Sequence, residues 1–167
     1  MQIAQNRNAK NCTMKIKMLV MDVDGTLTDG HIYIGPTGEE MKVFSCKDGL
    51  GIKELLPELG ITPVIITGRN SVITANRAKE LRIEALYQGV ADKLPLLREL
   101  AAQRGLTAEE IAYIGDDLND LECMRYCGLT ACPQDAAKTI RDLVDYVCPH
   151  DGGHGAVRDF IEYMAEL

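Results

Sequence analysis

The sequence predicts an α/β fold, a Rossmann-like doubly wound parallel sheet, on three observations. Apolar runs of strand length alternate along the chain with helical patterns. The runs are nearly continuous in apolar residues, as expected for strands buried on both faces. Polar residues gather where the runs end, at the edge where open α/β sheets bind ligands.

The elements follow in order. Residues 17–22 (KMLVMD) read as a short buried strand. Residues 31–44 (HIYIGPTGEEMKVF) break the alternation and read as two short strands around Gly-Pro-Thr-Gly, a β-hairpin projecting from the sheet. A helical stretch over 49–59 leads to a second buried strand, 62–67 (TPVIIT). A helix over 71–81, a brief strand at 85–87 and a helix over 93–104 come next. Thr107 and Glu110 have the spacing of a capping box and predict a turn of helix before the strand 111–115 (IAYIG). Helical patterns over 117–127, 134–142 and 155–166 alternate with weaker strands at 129–131 and 146–147. There is no internal repeat and no linker, so residues 16–167 read as one domain. It ends in a Gly-rich tail and helix over 149–167. Residues 1–15 are polar and Asn-rich and read as a short disordered arm, not a signal peptide.

Composition narrows the function. A net charge of −7 argues against a nucleic-acid partner, whose binding draws on Lys and Arg neutralising phosphates. No apolar run is long enough to span a bilayer, so no membrane partner is expected and the chain reads as cytoplasmic. The six cysteines contain no Cys-x-x-Cys. Cys123 and Cys127 share a helix face, yet the set reads as reduced thiols rather than a zinc site.

The strand ends carry the chemistry. The first ends in Asp22-Val23-Asp24-Gly25-Thr26, the second in Thr67-Gly68-Arg69, and the strand at 111–115 in Gly115-Asp116-Asp117-Leu118-Asn119-Asp120. Lys93 opens the helix after the brief third strand. In one crevice, several carboxylates repel each other unless they bind a cation or take a proton. Magnesium suits such a site, because it takes oxygen ligands and leaves positions for water and phosphate. Asp22, Asp116 and the backbone carbonyl of Asp24 are its candidate ligands. Asp22 can also attack phosphorus and form an aspartyl-phosphate. Asp24 is placed to give a proton to the leaving alcohol and later take one from water. Thr67 and Lys93 would hold the non-bridging phosphoryl oxygens. Each fragment alone is a common surface turn or solvated charge; their conjunction, each at a strand exit or helix start, carries the reading.

In this order the motifs resemble the haloacid dehalogenase superfamily of phosphohydrolases. The resemblance implies a nucleophile at Asp22, an acid/base at Asp24 and a magnesium ligand at Asp116. It also implies that Asp117, Asn119 and Asp120 support the metal waters and Lys93. Neither interval that normally holds a cap domain is roomy enough for one. Within the superfamily the chain resembles the capless 3-deoxy-D-manno-octulosonate 8-phosphate phosphatase family, on Thr28-Asp29-Gly30, Gly38-Glu39-Glu40, residues 44–53 (FSCKDGLGIK), Leu86-Tyr87-Gln88-Gly89 and residues 152–158 (GGHGAVR).

That resemblance implies an acidic sugar phosphate as substrate and a homo-oligomer, a tetramer with the hairpins at its interface. Its substrate set maps onto Asp24, Lys47, Asp48, Gly49, Lys53, Gly68, Arg69, Arg77, Lys93 and His154. Arg69 is the first choice for the sugar carboxylate, since a guanidinium grips a carboxylate bidentately. Two positions depart from the family pattern: His154 and Lys47 stand where Arg is common. A related nine-carbon acid sugar 9-phosphate is therefore the alternative substrate, although its phosphatases tend to carry Glu after Thr-Gly. A non-catalytic assembly module related to acid-sugar cytidylyltransferases is the alternative from another class. A mutase would need the missing cap.

Overall fold

A computed structural model describes residues 16–167; the arm expected over 1–15 lies outside them. Six parallel strands form the sheet. They are β1 (Met18–Met21), β4 (Thr62–Ile66), β5 (Ala85–Tyr87), β6 (Ile111–Ile114), β7 (Leu129–Cys132) and β8 (Tyr146–Val147), in the spatial order β5-β4-β1-β6-β7-β8. All residues of β1, β6 and β7 are buried, which explains their unbroken apolar runs. Strands β2 (Tyr33–Gly35) and β3 (Gly38–Met41) form the expected antiparallel hairpin outside this sheet.

Successive residues of each strand face opposite layers. Leu19, Met21, Ile65 and Ile114 point to one side. There they meet α2 (Leu56–Leu59), α3 (Val72–Glu80) and α7 (Ala156–Ala165) through Leu56, Ala78 and Phe160. Met18, Val20, Val64 and Tyr113 point to the other. That side is covered by α4 (Lys93–Gln103), α5 (Leu121–Tyr126) and α6 (Lys138–Arg141), through Leu97, Leu100, Met124 and Ile140. The sheet is therefore doubly wound.

The chain leaves β1 toward the first layer and leaves β6 toward the second. Their carboxyl ends part, and a crevice opens between them. Register places the motifs at one level: Met21 pairs with both Ile65 and Ile114, so Asp22, Ile66 and Gly115 lie side by side. The Asp22 amide donates to the Ile114 carbonyl at 3.1 Å.

Three boundaries differ from the sequence reading. The helix expected from Gly49 begins earlier, as α1 (Cys46–Leu50), because the Ser45 hydroxyl accepts from the amides of Lys47 and Asp48 and caps it. It continues through a π-helical turn (Gly51–Leu55) into α2. The stretch 117–127 starts as a 3₁₀ turn (Leu118–Asp120) before α5, and 134–142 keeps only α6. The capping box at Thr107 and Glu110 is formed.

Candidate active site

The crevice is a cavity of about 310 Å³ lined by Asp22, Asp24, Gly30, Thr67, Gly68, Arg69, Asp116, Asp117 and Asn119. Residues from three strand exits thus meet as their spacing implied. The loop after β1 is tied to itself: the Thr28 hydroxyl accepts from the amides of Gly25 and Gly30, each at 3.2 Å, and donates to the Val23 carbonyl at 3.3 Å. Gly25 has a φ of +93°, and a side chain there would collide with the Asp116 carboxylate. Glycine at this position lets the two loops close on each other.

Behind the cavity lies a buried ionic network. The Lys93 ammonium donates to Asp22 Oδ1 and to Asp120 Oδ1, both at 2.7 Å. The Tyr113 hydroxyl donates to the same Asp120 oxygen at 2.7 Å, and the Asp116 amide donates to Asp120 Oδ2 at 3.1 Å. The Thr26 hydroxyl donates to Asp116 Oδ1 at 3.2 Å. Burial, reinforced by Asp120, pushes the Asp22 carboxyl up, and Lys93 opposes the shift. Burial together with Asp22 and Asp120 pushes Asp116 up as well. Such a cluster is short of positive charge.

Carboxylate oxygens of Asp22, Asp116 and Asp120 lie within 4.8 Å of one another, an all-oxygen donor set that fits a magnesium ion. Asp120 is fully buried and its two oxygens already accept from three donors, so it serves the network rather than the ion. Asp22 and Asp116, which line the cavity, are left to face a cation.

Seven of the ten expected substrate residues do not line this cavity: Lys93 is buried behind it, held by Asp22 and Asp120, and six lie elsewhere. Asp48 is buried elsewhere: its Oδ1 accepts from the Arg158 amide at 2.8 Å, at the start of α7. It anchors that helix, whose N-terminus favours a carboxylate. Gly49 is a packing glycine, because a side chain there would strike the Arg77 guanidinium. Arg77 donates to the Ser45 carbonyl at 3.1 Å and to Glu80 at 2.8 Å, and lies over the Phe44 ring. Gly49, Lys53 and Arg77 line a separate groove with Cys46 and Glu80. Lys47 is exposed on α1, and His154 is exposed with its Nδ1 2.8 Å from the Gly152 carbonyl. The Gly-rich tail does not cover the cavity of its own chain. Gly152 and Gly153 pack against the backbone of residues 25–29, and the Gly153 amide donates to the Thr26 carbonyl at 3.1 Å.

Sequence reasoning missed four participants. Tyr113 and Thr26 support the carboxylates, and Gly30 lines the cavity. Lys42 comes from the hairpin: its buried ammonium pairs with Asp24 and with Glu39. Only a lysine two residues before Phe44, in an otherwise exposed hairpin, could have signalled it. The described cysteines are free thiols, and burial pushes Cys123 up to about 12 and raises Cys127.

Residues 71–161 match the family described as haloacid dehalogenase-like hydrolase. The 3-deoxy-D-manno-octulosonate 8-phosphate phosphatase of Yersinia pestis is 44% identical over 89% of this chain and 79% of its own. That of Escherichia coli is 40% identical over the same shares. Among solved structures, the Moraxella catarrhalis phosphatase of this name, in complex with magnesium, phosphate and KDO, is 41% identical with a TM-score of 0.87. The match covers 92% of this chain and 88% of that one. The cobalt-bound Haemophilus influenzae enzyme is 37% identical, with a TM-score of 0.87, over 92% and 90% of the two chains. Motifs, topology and these relatives agree: the chain belongs to the haloacid dehalogenase-like hydrolases and, within them, to the 3-deoxy-D-manno-octulosonate 8-phosphate phosphatase family.

Proposed function

We propose that the protein hydrolyses a phosphomonoester, 3-deoxy-D-manno-octulosonate 8-phosphate, to the free acid sugar and phosphate in lipopolysaccharide synthesis. The observation that carries this is the convergence of Asp22, Asp24, Thr67 and Asp116 on one cavity, with Lys93 bonded to Asp22 behind it. Bound through Asp22, Asp116 and the Asp24 carbonyl, magnesium would cancel the repulsion between nucleophile and phosphoryl oxygens. Lys93 holds Asp22 Oδ1, which leaves Oδ2 to attack phosphorus. An aspartyl-phosphate forms as the P–O bond to the sugar breaks, and Asp24 gives its proton to the departing oxygen. Asp24 then takes a proton from the water that attacks the intermediate and releases phosphate. Thr67 and Gly68 line the cavity where they would cradle the phosphoryl oxygens, and Asp117 and Asn119 line it where they would support a bound magnesium ion through water.

Arg69 is half exposed at the cavity mouth, and its Nε lies 3.9 Å from Asp24 Oδ2. We assign it the sugar carboxylate. Lys47, Lys53, Arg77 and His154 lie away from the cavity of their own chain and would reach a substrate only across an interface. The hairpin exposes Ile32, Ile34 and Met41, and Leu50 is exposed on α1, an apolar surface suited to a second copy. A homotetramer acting in the cytoplasm fits this reading. The chain carries Arg, not Glu, after Thr67-Gly68, which favours the eight-carbon acid over the nine-carbon one.

The test is a ranking of sugar phosphates by kcat/KM at saturating magnesium. The eight-carbon acid sugar 8-phosphate should lead, and Arg69→Ala should raise KM for it while sparing neutral hexose phosphates. Preference of the wild type for neutral sugars would overturn the substrate assignment, and no phosphate release from any of them would favour an assembly module.

A further inference from the structure

The hairpin carries a buried charge, the ammonium of Lys42. The Lys42 side chain is 1% exposed, although residues Gly38–Met41 beside it are exposed or half-buried. Burying an ammonium is unfavourable unless it is paired on arrival. An apolar side chain could have anchored the hairpin without that penalty. Both partners of Lys42 are carboxylates from different parts of the fold. One is Asp24 Oδ1 in the loop after β1; the other is Glu39 Oε1 on β3, at 2.9 Å. Glu39 is fixed in turn, because its Oε2 accepts from the hydroxyl of Ser71, the cap of α3. The result is a continuous tie from α3 through Glu39 and Lys42 to Asp24.

The tie decides what Asp24 can do. A carboxylate at the end of a loop can turn about its last bond. Lys42 occupies Oδ1 and stops that rotation. Oδ2 remains, on the side of Arg69, whose Nε lies 3.9 Å away and whose Nη2 lies 4.0 Å from Glu39 Oε1. Arg69 and Asp24 both line the cavity, and Oδ2 is the Asp24 oxygen on the Arg69 side.

We infer that Lys42 is a positioning residue for the hydrolytic reaction, holding Asp24 so that Oδ2 meets the leaving oxygen, with Glu39 as its second anchor. The inference rests on the reading of Asp24 as the group that protonates the leaving alcohol. It also gives the hairpin a role within its own chain, beside any role between copies. Proton transfer matters most when the leaving group is a poor one. Loss of Lys42 should therefore be felt by an alkyl phosphate and hardly by an aryl phosphate, whose phenolate departs with little help.

The test compares kcat and KM of wild type, Lys42→Met, Lys42→Arg and Asp24→Asn on two esters, the sugar 8-phosphate and p-nitrophenyl phosphate, with magnesium present. Lys42→Met should lower kcat on the sugar phosphate by about 30-fold or more, and on the aryl phosphate by about threefold or less, within the span usual for general acid catalysis. KM should move little, since the lost interaction serves the transition state. Asp24→Asn should show the same split at larger size, and Lys42→Arg, which keeps a donating cation, should recover part of the loss. Equal losses on both esters, or no loss, would overturn the role of Lys42. If Asp24→Asn itself shows no split, the reading of Asp24 fails first and takes the inference with it. Thermal unfolding checks that each variant is folded. If Lys42→Met is not, Glu39→Gln loosens the same ammonium and should show the split at smaller size; its absence there would also overturn the proposal.

Discussion

Single side chains explain both why this site works and why part of it was hidden. Asp22, Asp24, Thr67 and Asp116 were legible because each follows an apolar strand, where a polar residue has few structural reasons to be. Lys93 was legible only through its place in the motif order; its burial between two carboxylates is a property of the fold. Lys93→Met should leave Asp22 and Asp120 buried without their cation. Breaking such a pair destabilises by about 3 to 5 kcal/mol, so a clear fall in Tm is expected along with loss of phosphate release. An unchanged Tm would contradict the network. Asp48 gives a second residue-scale test. Burial holds its carboxyl up to about 6, above its usual 3.8, with Asp159 adding to the shift and His150 and two backbone amides opposing it. The folded-state value exceeds the unfolded one, so the neutral form favours the fold. That contribution is complete below pH 3.8 and is lost as pH rises toward 6. Asp48→Asn keeps a neutral group there. Its Tm relative to wild type should rise by about 5 °C between pH 4 and pH 7. Parallel Tm curves would contradict this.

At the scale of elements, alternation and strand-length apolar runs located the sheet, while capping located the helices less well. Ser45 started α1 three residues before the glycines suggested, because one hydroxyl satisfied two free amides. The substrate residues placed by resemblance fared differently from those placed by strand exits. Asp48 and Gly49 belong to α1 and serve its packing against α7 and Arg77, contacts far apart in sequence that local patterns do not encode. The hairpin was legible from Gly35-Pro36-Thr37-Gly38, but its docking onto Asp24 through Lys42 was not, since a lone lysine reads as a solvated charge. Its outward face supports a prediction. Ile34 is 70% exposed, so in the homo-oligomer we propose Ile34→Lys should leave the fold intact and shift sedimentation toward the monomer. An unchanged assembly would place the interface elsewhere.

Across the whole molecule, the fold does one thing for the chemistry. It sends the chain to opposite layers after β1 and β6, and the carboxylates at those two exits face each other across the gap. A buried and a half-buried carboxylate, both with raised proton affinity, are then ready for a divalent cation, and Lys93 alone does not offset their charge. On this proposal Asp22 is a nucleophile that works only with magnesium beside it. The most direct measurement is phosphate release from 3-deoxy-D-manno-octulosonate 8-phosphate by wild type and by Asp22→Asn, with magnesium and with a chelator, on protein shown to be folded by circular dichroism. Wild type should release phosphate with magnesium and stop when it is chelated, and Asp22→Asn should release none in either case. Sustained phosphate release by folded Asp22→Asn, or by the wild type with the metal removed, would contradict the account.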